Sequence, residues 1–494
     1  MKHERYILPG CLLATAVLYL PSLGNYMVAD SWVFMVPHSF FGTFAYFVKT
    51  MLPPEFNALW LRPVPMFTYW LDTVLWSGTS WGPHLVNMLF HLVNTALVWH
   101  IVRNMSSSGT GNNRGDTLAA AVACLVYAVH PLTVGSVGWV AARFDVMCVT
   151  FGLAGMYLWL RRETGASGGK YLAGGVALLV LSLLSKEQGI VYSAACVCAS
   201  SYTAVVSKKD RRRSVTGIAA LSAIVCVYIV YRLIVFKGIG GYLESRHGLS
   251  VMPPLYYLLA LFYPYPNVFP NAGFSLTMLL SAVIVVATGV LLLRNGQIET
   301  KKVPPVFFLA SLLLCLFGLT TNAPNPGMEL DRVLGHAESR FALNALTGLA
   351  LAAGAAVSYH ARSRMARRAL IAVVMLWSVI AVWRTDVQIQ AWRDAGSAAR
   401  GIVEDTVRLA PEPPFKSKMI FFDIPRNNDQ WAYIFGIGLR EALILRYGRS
   451  DIDVIRYPKR EDLRSALPDR DFVFTYNARS GRLERLTAQR QKRE

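Results

Sequence analysis

The sequence has 494 residues, of which 54% are hydrophobic and only 16% are charged, and its formal net charge is +19. A soluble globular domain carries about a quarter charged residues, so this composition excludes an ordinary water-soluble protein. The positive charge would suit a nucleic-acid-binding protein, but no basic face is interleaved with aromatic residues, which argues against that class.

Long apolar runs recur along the first 384 residues. At about 1.5 Å per residue, a run of about 20 residues crosses a hydrocarbon layer of about 30 Å. Runs long enough to cross most of it are 6–24, 83–102, 214–236, 274–293, 303–321, 340–358 and 369–383. Shorter runs are 117–131, 145–160, 171–184 and 189–206. The sequence therefore predicts an α-helical polytopic membrane protein with about eleven transmembrane helices.

The basic residues predict its orientation. With the N-terminus in the cytoplasm, the loops and ends on that side carry 19 Lys and Arg, whereas the longer loops on the other side carry 8. This asymmetry is the positive-inside pattern, and it places the C-terminus outside the cytoplasm. From about residue 385 the composition becomes mixed and polar. Strands are predicted at 418–424 and 471–476, and a helix at 431–447.

These patterns predict two domains. Residues 1–384 form a transmembrane domain with a long first extracytoplasmic loop at 25–82, and residues 385–494 form a small soluble α/β domain on the extracytoplasmic side.

Ionisable residues gather at the extracytoplasmic ends of the predicted spans. Charged groups at membrane depth are costly, so they are candidates for function. A carboxylate near the interface can act as a general base. Lys and Arg can hold a phosphate group, Arg with two parallel hydrogen bonds. Such a cluster suits transfer from a lipid-linked phosphate donor. Its members are Asp30, Arg62, Asp72, His130, Arg143, Asp145, Lys186, Glu187, Glu338 and Arg340.

A series of short motifs follows the same residues. They lie at 25–30, 62–64, 84–87 with His91, 130–131, 137–139, 143–145, 184–187 and 338–341. As an ordered set they resemble the membrane-embedded glycosyltransferases of the GT-C superfamily, which use a polyprenyl-phosphate-linked sugar. The resemblance is strongest to the protein O-mannosyltransferase-like branch, some of whose members bear tetratricopeptide repeats that this chain lacks.

The resemblance implies a role for each matching residue. Asp30 would be the catalytic carboxylate of the first loop, and Asp145 a second acidic residue that either orients the acceptor or holds a metal. Lys186, Arg340 and Arg62 would contact the donor phosphate. The first loop of the family often has two adjacent acidic residues, whereas Ala29 precedes Asp30 here, so a divalent metal stays open. The remaining candidates, for acceptor binding or structure, are Arg143, His130, Glu187 and Glu338.

Each candidate also has a structural interpretation. Asp30 and Asp145 could simply begin helices, a common position for Asp. Lys186 could lie in a turn between two helices, and Arg340 could pair with Glu338. Since Arg143 and Asp145 are two residues apart, they do not face each other on a helix and should contact different elements.

The resulting hypothesis is an inverting glycosyltransferase whose active site faces the extracytoplasmic side. It would move a sugar from a polyprenyl phosphate to a hydroxyl or amine of a protein, glycolipid or polysaccharide. The alternatives are a lipid or sugar transporter (a flippase) and a non-catalytic membrane scaffold. A transporter would place its ionisable groups near the bilayer midplane within repeated, broken helices, which the sequence does not show. Short loops favour a bacterial inner membrane.

Overall fold

The computed structural model describes residues 4–41, 44–45, 48, 61–76, 78–106, 113–163, 169–206, 211–238, 250–262, 305–321, 338–360, 364–429, 432–457 and 472–486. Most of them are helical. In chain order the helices are α1 (Ile7–Tyr19), α2 (Asp30–Phe41), α3 (Pro63–Trp76), α4 (Trp81–Ser106), α5 (Asn113–Ala128), α6 (Val134–Val137), α7 (Arg143–Glu163), α8 (Gly169–Ser185), α9 (Ile190–Val206), α10 (Arg211–Phe236), α11 (Met252–Phe262), α12 (Pro305–Thr320), α13 (Leu343–His360), α14 (Arg364–Leu409) and α15 (Leu439–Tyr447).

Several helices are long and apolar enough to cross a membrane. Within the described residues there are six such helices, or seven if the bent pair Gly115–Ala128 and Pro131–Val137 counts as one span. Two shorter apolar helices are Gly169–Ser185 and Ala310–Thr320. The predicted run at 274–293 lies outside the described residues, so the total of about eleven stays a prediction.

Helix α14 runs unbroken through the domain boundary predicted at residue 385. It has 46 residues, or about 69 Å at 1.5 Å per residue, roughly twice the thickness of a hydrocarbon layer. Its first half carries the apolar run, and its second half packs on the last strand and on α15. The change in composition near residue 385 therefore falls inside a helix and does not mark its end.

Beyond α14, the chain forms a four-stranded sheet in the order β2-β1-β3-β4. The strands are β1 (Lys418–Phe422), β2 (Asp453–Tyr457), β3 (Phe472–Asn477) and β4 (Arg482–Leu486). The two neighbours of β1 run parallel to it, whereas β3 and β4 are antiparallel. A buried hydrogen bond also fixes the sheet to α14. In it the Leu483 N–H donates to the Asp405 carboxylate at 3.1 Å.

Two large hydrophobic clusters hold the structure together. One joins the apolar helices α4, α5, α7, α9, α12 and α13. The other runs from Tyr19 and Trp32 through Trp139 and Trp392 to Phe474 in the sheet. The start of the first loop, the second half of α14 and the sheet thus share one core, and this core positions the candidate site.

Candidate active site on the first loop

The site is centred on a strained turn that leads into α2. Ala29 has φ of 45°, a left-handed conformation that side chains disfavour and that tends to occur where the surroundings enforce it. Here the Ala29 N–H donates to the Ile434 carbonyl at 2.9 Å. Gly438, with φ of 88°, lies against the Ala29 carbonyl so closely that a Cβ would overlap it. The turn holds Asp30 at the first position of α2.

The Asp30 carboxylate is partly buried and makes no salt bridge with another described residue. Burial raises the pKa of this carboxyl, and the charge of the nearby Arg340 partly opposes the rise. A carboxylate with a raised pKa beside a cation is suited to accept a proton.

The guanidinium of Arg340 lies against two aromatic rings, those of Trp139 and Phe341. Its guanidinium carbon is 4.5 Å from the Trp139 ring centre and 4.4 Å from that of Phe341. Its nearest guanidinium nitrogen is 3.6 Å from the Glu338 carboxylate. The Tyr433 hydroxyl donates to the same carboxylate at 2.6 Å, and burial raises the pKa of this phenol, which keeps it a donor. Arg340 is thereby fixed in place, close enough to Asp30 for its charge to act on the pKa of that carboxyl.

Lys186 lies on the same aromatic residue as Arg340. Its ammonium is 4.8 Å from the ring centre of Phe341, and it also contacts the Asp145 carboxylate directly. Both members of this pair are almost fully buried, with exposed side-chain fractions of 2% and 5%. The structure therefore brings Asp30, Arg340 and Lys186 to one region and gives Asp145 the role of countercharge to Lys186.

Arg62 and Glu187 form a second ion pair next to the first. The guanidinium donates to both carboxylate oxygens, at 2.7 and 2.9 Å. Burial would raise the pKa of Glu187, but the charges of Arg62 and Lys186 outweigh it, so the pKa lies below its usual range. This pair joins the start of α3 to the turn after α8.

Two of the predicted candidates, Arg143 and His130, are buried and bond to other protein groups. Arg143 is fully buried, pairs with Asp72 at 2.5 Å and donates to the Asn87 side chain and the Pro83 carbonyl, both at 2.9 Å. It therefore ties α3, α4 and α7 together, and it contacts partners other than those of Asp145, as expected from their spacing. His130 is also buried, and its two ring nitrogens bond to the backbone of Leu132 and Leu261.

Residues 432–438 contribute to the site, which the sequence pattern did not predict. The pattern predicted one helix from 431 to 447, whereas α15 begins at Leu439 and the preceding segment supplies Ile434, Tyr433 and Gly438 to the site. Gly436 and Gly438 were the available signal, because two glycines inside a helical pattern are unfavourable and often mark special backbone geometry.

Asp145 could serve as a metal ligand only together with other ligating side chains. Among the described ranges, no group of three His, Cys, Asp or Glu side chains is arranged to hold a metal ion.

Comparison with known proteins gives relatives over part of the chain. No family model matches. Protein O-mannosyl-transferase F38B6.6 of Caenorhabditis elegans is 30% identical over 138 residues, 28% of this chain and 18% of that protein. Protein O-mannosyl-transferase Tmtc2 of Drosophila melanogaster is 26% identical over 250 residues, 46% of this chain and 25% of that protein. The chain thus spans about a quarter or less of the length of the curated relatives it matches.

Solved structures extend the likeness to nearly the whole chain. ArnT from Cupriavidus metallidurans bound to undecaprenyl phosphate has a TM-score of 0.52 at 13% identity, with 94% of this chain and 92% of that chain covered. The apo form of the same protein has a TM-score of 0.54 at 11% identity. At such identities the likeness concerns the fold, which is that of an integral membrane protein. The chain is thus an integral membrane protein that is similar to protein O-mannosyl-transferases in sequence over part of its length and to ArnT in fold, and this likeness confirms the resemblance seen in its motifs.

Proposed function

We propose that the chain is an inverting membrane glycosyltransferase. It moves a sugar from a polyprenyl-phosphate donor to a hydroxyl or amine of a protein, glycolipid or polysaccharide. The observation that carries this proposal is the convergence of Asp30, Arg340 and Lys186, with the two cations on the single ring of Phe341. Its support also includes membrane glycosyltransferases among the relatives and a neighbour of the same fold bound to undecaprenyl phosphate.

The proposed reaction is one displacement at the anomeric carbon of the donor. Asp30 takes the proton of the acceptor hydroxyl or amine while that oxygen or nitrogen forms a bond to the anomeric carbon. The bond from this carbon to the phosphate oxygen breaks, and its electron pair leaves with the polyprenyl phosphate. A single displacement inverts the configuration of the sugar carbon.

The departing phosphate needs positive charge close by. Arg340 supplies a planar guanidinium that matches two phosphate oxygens, and Lys186 supplies a compact ammonium. Lys186 is paired with Asp145 before the donor arrives. The phosphate would therefore share this ammonium with Asp145. In this proposal Arg62, which is held by Glu187 next to Lys186, is a further contact for the phosphate.

Residues 432–438 keep Asp30 and Arg340 in position, one through Ile434 and the other through Tyr433 and Glu338. We place this whole assembly on the extracytoplasmic face, because the basic residues favour the opposite side as cytoplasmic. A bacterial inner membrane is part of the proposal. It rests on the short loops of the sequence, and the curated relatives are from animals.

The test compares the purified parent with Asp30→Asn in nanodiscs. Each is given polyprenyl-phosphate sugars and a crude envelope acceptor, and the release of free polyprenyl phosphate is followed. Asp429→Asn, which removes an exposed carboxylate outside the site, is the matched control. We expect release by the parent and the control, and at least ~100-fold slower release by Asp30→Asn, in line with the loss of a general base.

Equal release by the parent and by folded Asp30→Asn would remove Asp30 from the mechanism. Absence of release with every donor, combined with movement of the labelled donor across a sealed vesicle membrane, would instead favour a flippase. Absence of both activities would favour a scaffold.

A further inference from the structure

The two cations assigned to the donor phosphate come from separate turns of the chain. Lys186 stands at the start of the short 3-10 helix Glu187–Gly189, and Arg340 lies within the 3-10 helix Glu338–Ala342. Each turn leads directly into a helix of the membrane domain, α9 after the first and α13 after the second. Both cations can hold one phosphate only if the two turns keep a fixed separation, because a small misplacement of a binding group removes much of its effect.

A pair of amide side chains links the two turns directly. Gln188 is two residues after Lys186, and Asn344 is four residues after Arg340. The Asn344 side-chain nitrogen donates to the Gln188 side-chain oxygen at 3.3 Å, and both side chains are buried. The Phe341 ring also contacts both cations, but a ring face accepts a cation over a range of positions. The amide pair is thus a directional link between the turns.

A chain of hydrogen bonds fixes the orientation of both amides. The Tyr192 hydroxyl donates to the Asn344 side-chain oxygen at 3.1 Å. The Gln188 side-chain nitrogen donates to the Thr321 hydroxyl at 3.3 Å, and this hydroxyl donates to the Gly318 carbonyl at 2.8 Å. Each amide therefore accepts from the member before it and donates to the member after it. Hydrogen bonds that follow one another in this way strengthen each other in a buried environment.

The backbone around the amide pair is closely packed. A Cβ on Gly318 of α12 would lie 2.6 Å from the Ala345 nitrogen of α13. A Cβ on Gly189 would lie 2.6 Å from the carbonyl carbon of Ser182 in α8, and the Gly189 N–H donates to the Lys186 carbonyl at 2.8 Å. Because close-packed interiors transmit strain, a shift of the amide pair would move the turns that carry the cations.

The amides lie where polar groups are costly. Asn344 belongs to the candidate span Glu338–Ser358, and an unpaired amide at membrane depth is strongly unfavourable. Two apolar side chains of the same shape could fill this space at little or no cost in stability. The use of amides therefore indicates that direction matters here, because a buried hydrogen-bonded network specifies one arrangement of the groups it joins.

We propose that Gln188 and Asn344 are positioning residues that set the separation of Lys186 and Arg340 around the donor phosphate. This inference rests on the proposed function, which supplies the phosphate. Each amide acts through the turn that carries the neighbouring cation. The reaction itself still uses Asp30 as the base and the two cations as the phosphate ligands.

The test measures binding of free polyprenyl phosphate to the full chain in phosphatidylcholine nanodiscs, by native mass spectrometry. The thermal unfolding midpoint and the kcat and KM of transfer are measured on the same samples. Asn344→Leu is made in the parent and in Arg340→Gln, and Gln188→Leu serves as a second variant in both backgrounds if Asn344→Leu does not fold. The matched control is Thr95→Val, which removes a buried hydroxyl that donates to the His91 carbonyl within α4.

We expect Asn344→Leu to raise the half-saturating amount of polyprenyl phosphate at least ~10-fold in the parent, and to lower kcat by a similar factor, as for residues coupled through one network. In Arg340→Gln the same substitution should change the half-saturating amount less than ~2-fold, because one cation alone has no separation to keep. Thr95→Val should bind as the parent does, even where its unfolding midpoint is lower.

Equal weakening in both backgrounds would show a general structural role and overturn the inference. Parent-like binding and kcat in Asn344→Leu would also overturn it, while leaving the proposed transferase in place. Coupled weakening of binding without any transfer would support the positioning role and count against the transferase. If the parent does not bind polyprenyl phosphate, both the inference and the proposed donor are overturned.

Discussion

The backbone N–H of Ala29 donates to the carbonyl oxygen of Ile434 at 2.9 Å, so the residue before Asp30 is tied to the loop before α15. Ala29 adopts a left-handed conformation at this point, which an alanine adopts at a cost unless its surroundings favour it. The C-terminal segment therefore supports the geometry of the first loop and has a direct part in placing Asp30.

The contact between Gly438 and Ala29 predicts a sensitive position. In Gly438→Ala the new Cβ would overlap the Ala29 carbonyl, so the turn before Asp30 must shift. We expect at least ~10-fold slower release of polyprenyl phosphate and a destabilisation of about 1–3 kcal/mol from the left-handed backbone alone. Gly448→Ala is the matched control, since Gly448 also has a positive φ of 67° but no atom within 4 Å of the Cβ position. Similar losses of activity in both variants would contradict the contact.

The environment of Asp30 predicts the pH dependence of the reaction. Burial raises the pKa of this carboxyl, and Arg340 partly opposes the rise. Because the base must be deprotonated, the rate should fall on the acid side at a pH above the ordinary value of 3.8 for Asp. Arg340→Gln should move this acid limb upward by roughly one pH unit. The measurement is the pH profile of kcat/KM, with Arg62→Gln as the comparison whose limb stays in place. An unmoved limb in Arg340→Gln would count against the coupling.

The buried pair of Lys186 and Asp145 predicts a separation of stability from activity. Removing one partner, in Lys186→Met or Asp145→Leu, leaves an unpaired buried charge and should destabilise the protein by about 3–5 kcal/mol. The double variant should recover most of that stability, because no charge is left buried, yet it should stay inactive because the phosphate has lost its ammonium. Thermal unfolding and product release measure the two effects. Recovery of activity in the double variant would exclude Lys186 from donor binding.

Glu187 predicts a stability difference that depends on pH. Its pKa is lowered in the folded state from the ordinary value of 4.5 for Glu, so the protonated form is disfavoured by folding. Its contribution is therefore complete above the unfolded pKa and is lost as the pH falls through the folded one. Unfolding midpoints of the parent and Glu187→Gln should differ most near pH 7 and converge in the acid range below 4.5. A constant difference across that range would show that the carboxylate charge is irrelevant to the Arg62 contact.

Local patterns were sufficient for much of the fold. The strands predicted at 418–424 and 471–476 are found at Lys418–Phe422 and Phe472–Asn477, because alternation and β-branched or aromatic content depend on few residues. The apolar runs likewise lie on helices wherever the structure describes them. By contrast, the change from apolar to mixed composition near residue 385 leaves no break in α14, since the backbone hydrogen bonds of a helix are made within the helix itself.

The sequence by itself indicated that the chain crosses a membrane, and it predicted that the ionisable residues gather at one side of it, because placing charge in hydrocarbon is costly. It also pointed to Asp30, Lys186 and Arg340 as candidates. Only the tertiary structure decided their partners: Asp145 for Lys186, the ring of Phe341 for both cations, and Ile434 for the turn before Asp30. Those contacts join residues that are distant along the chain. A local sequence pattern indicates the structure near a residue, but it does not indicate which distant residues folding brings into contact with it.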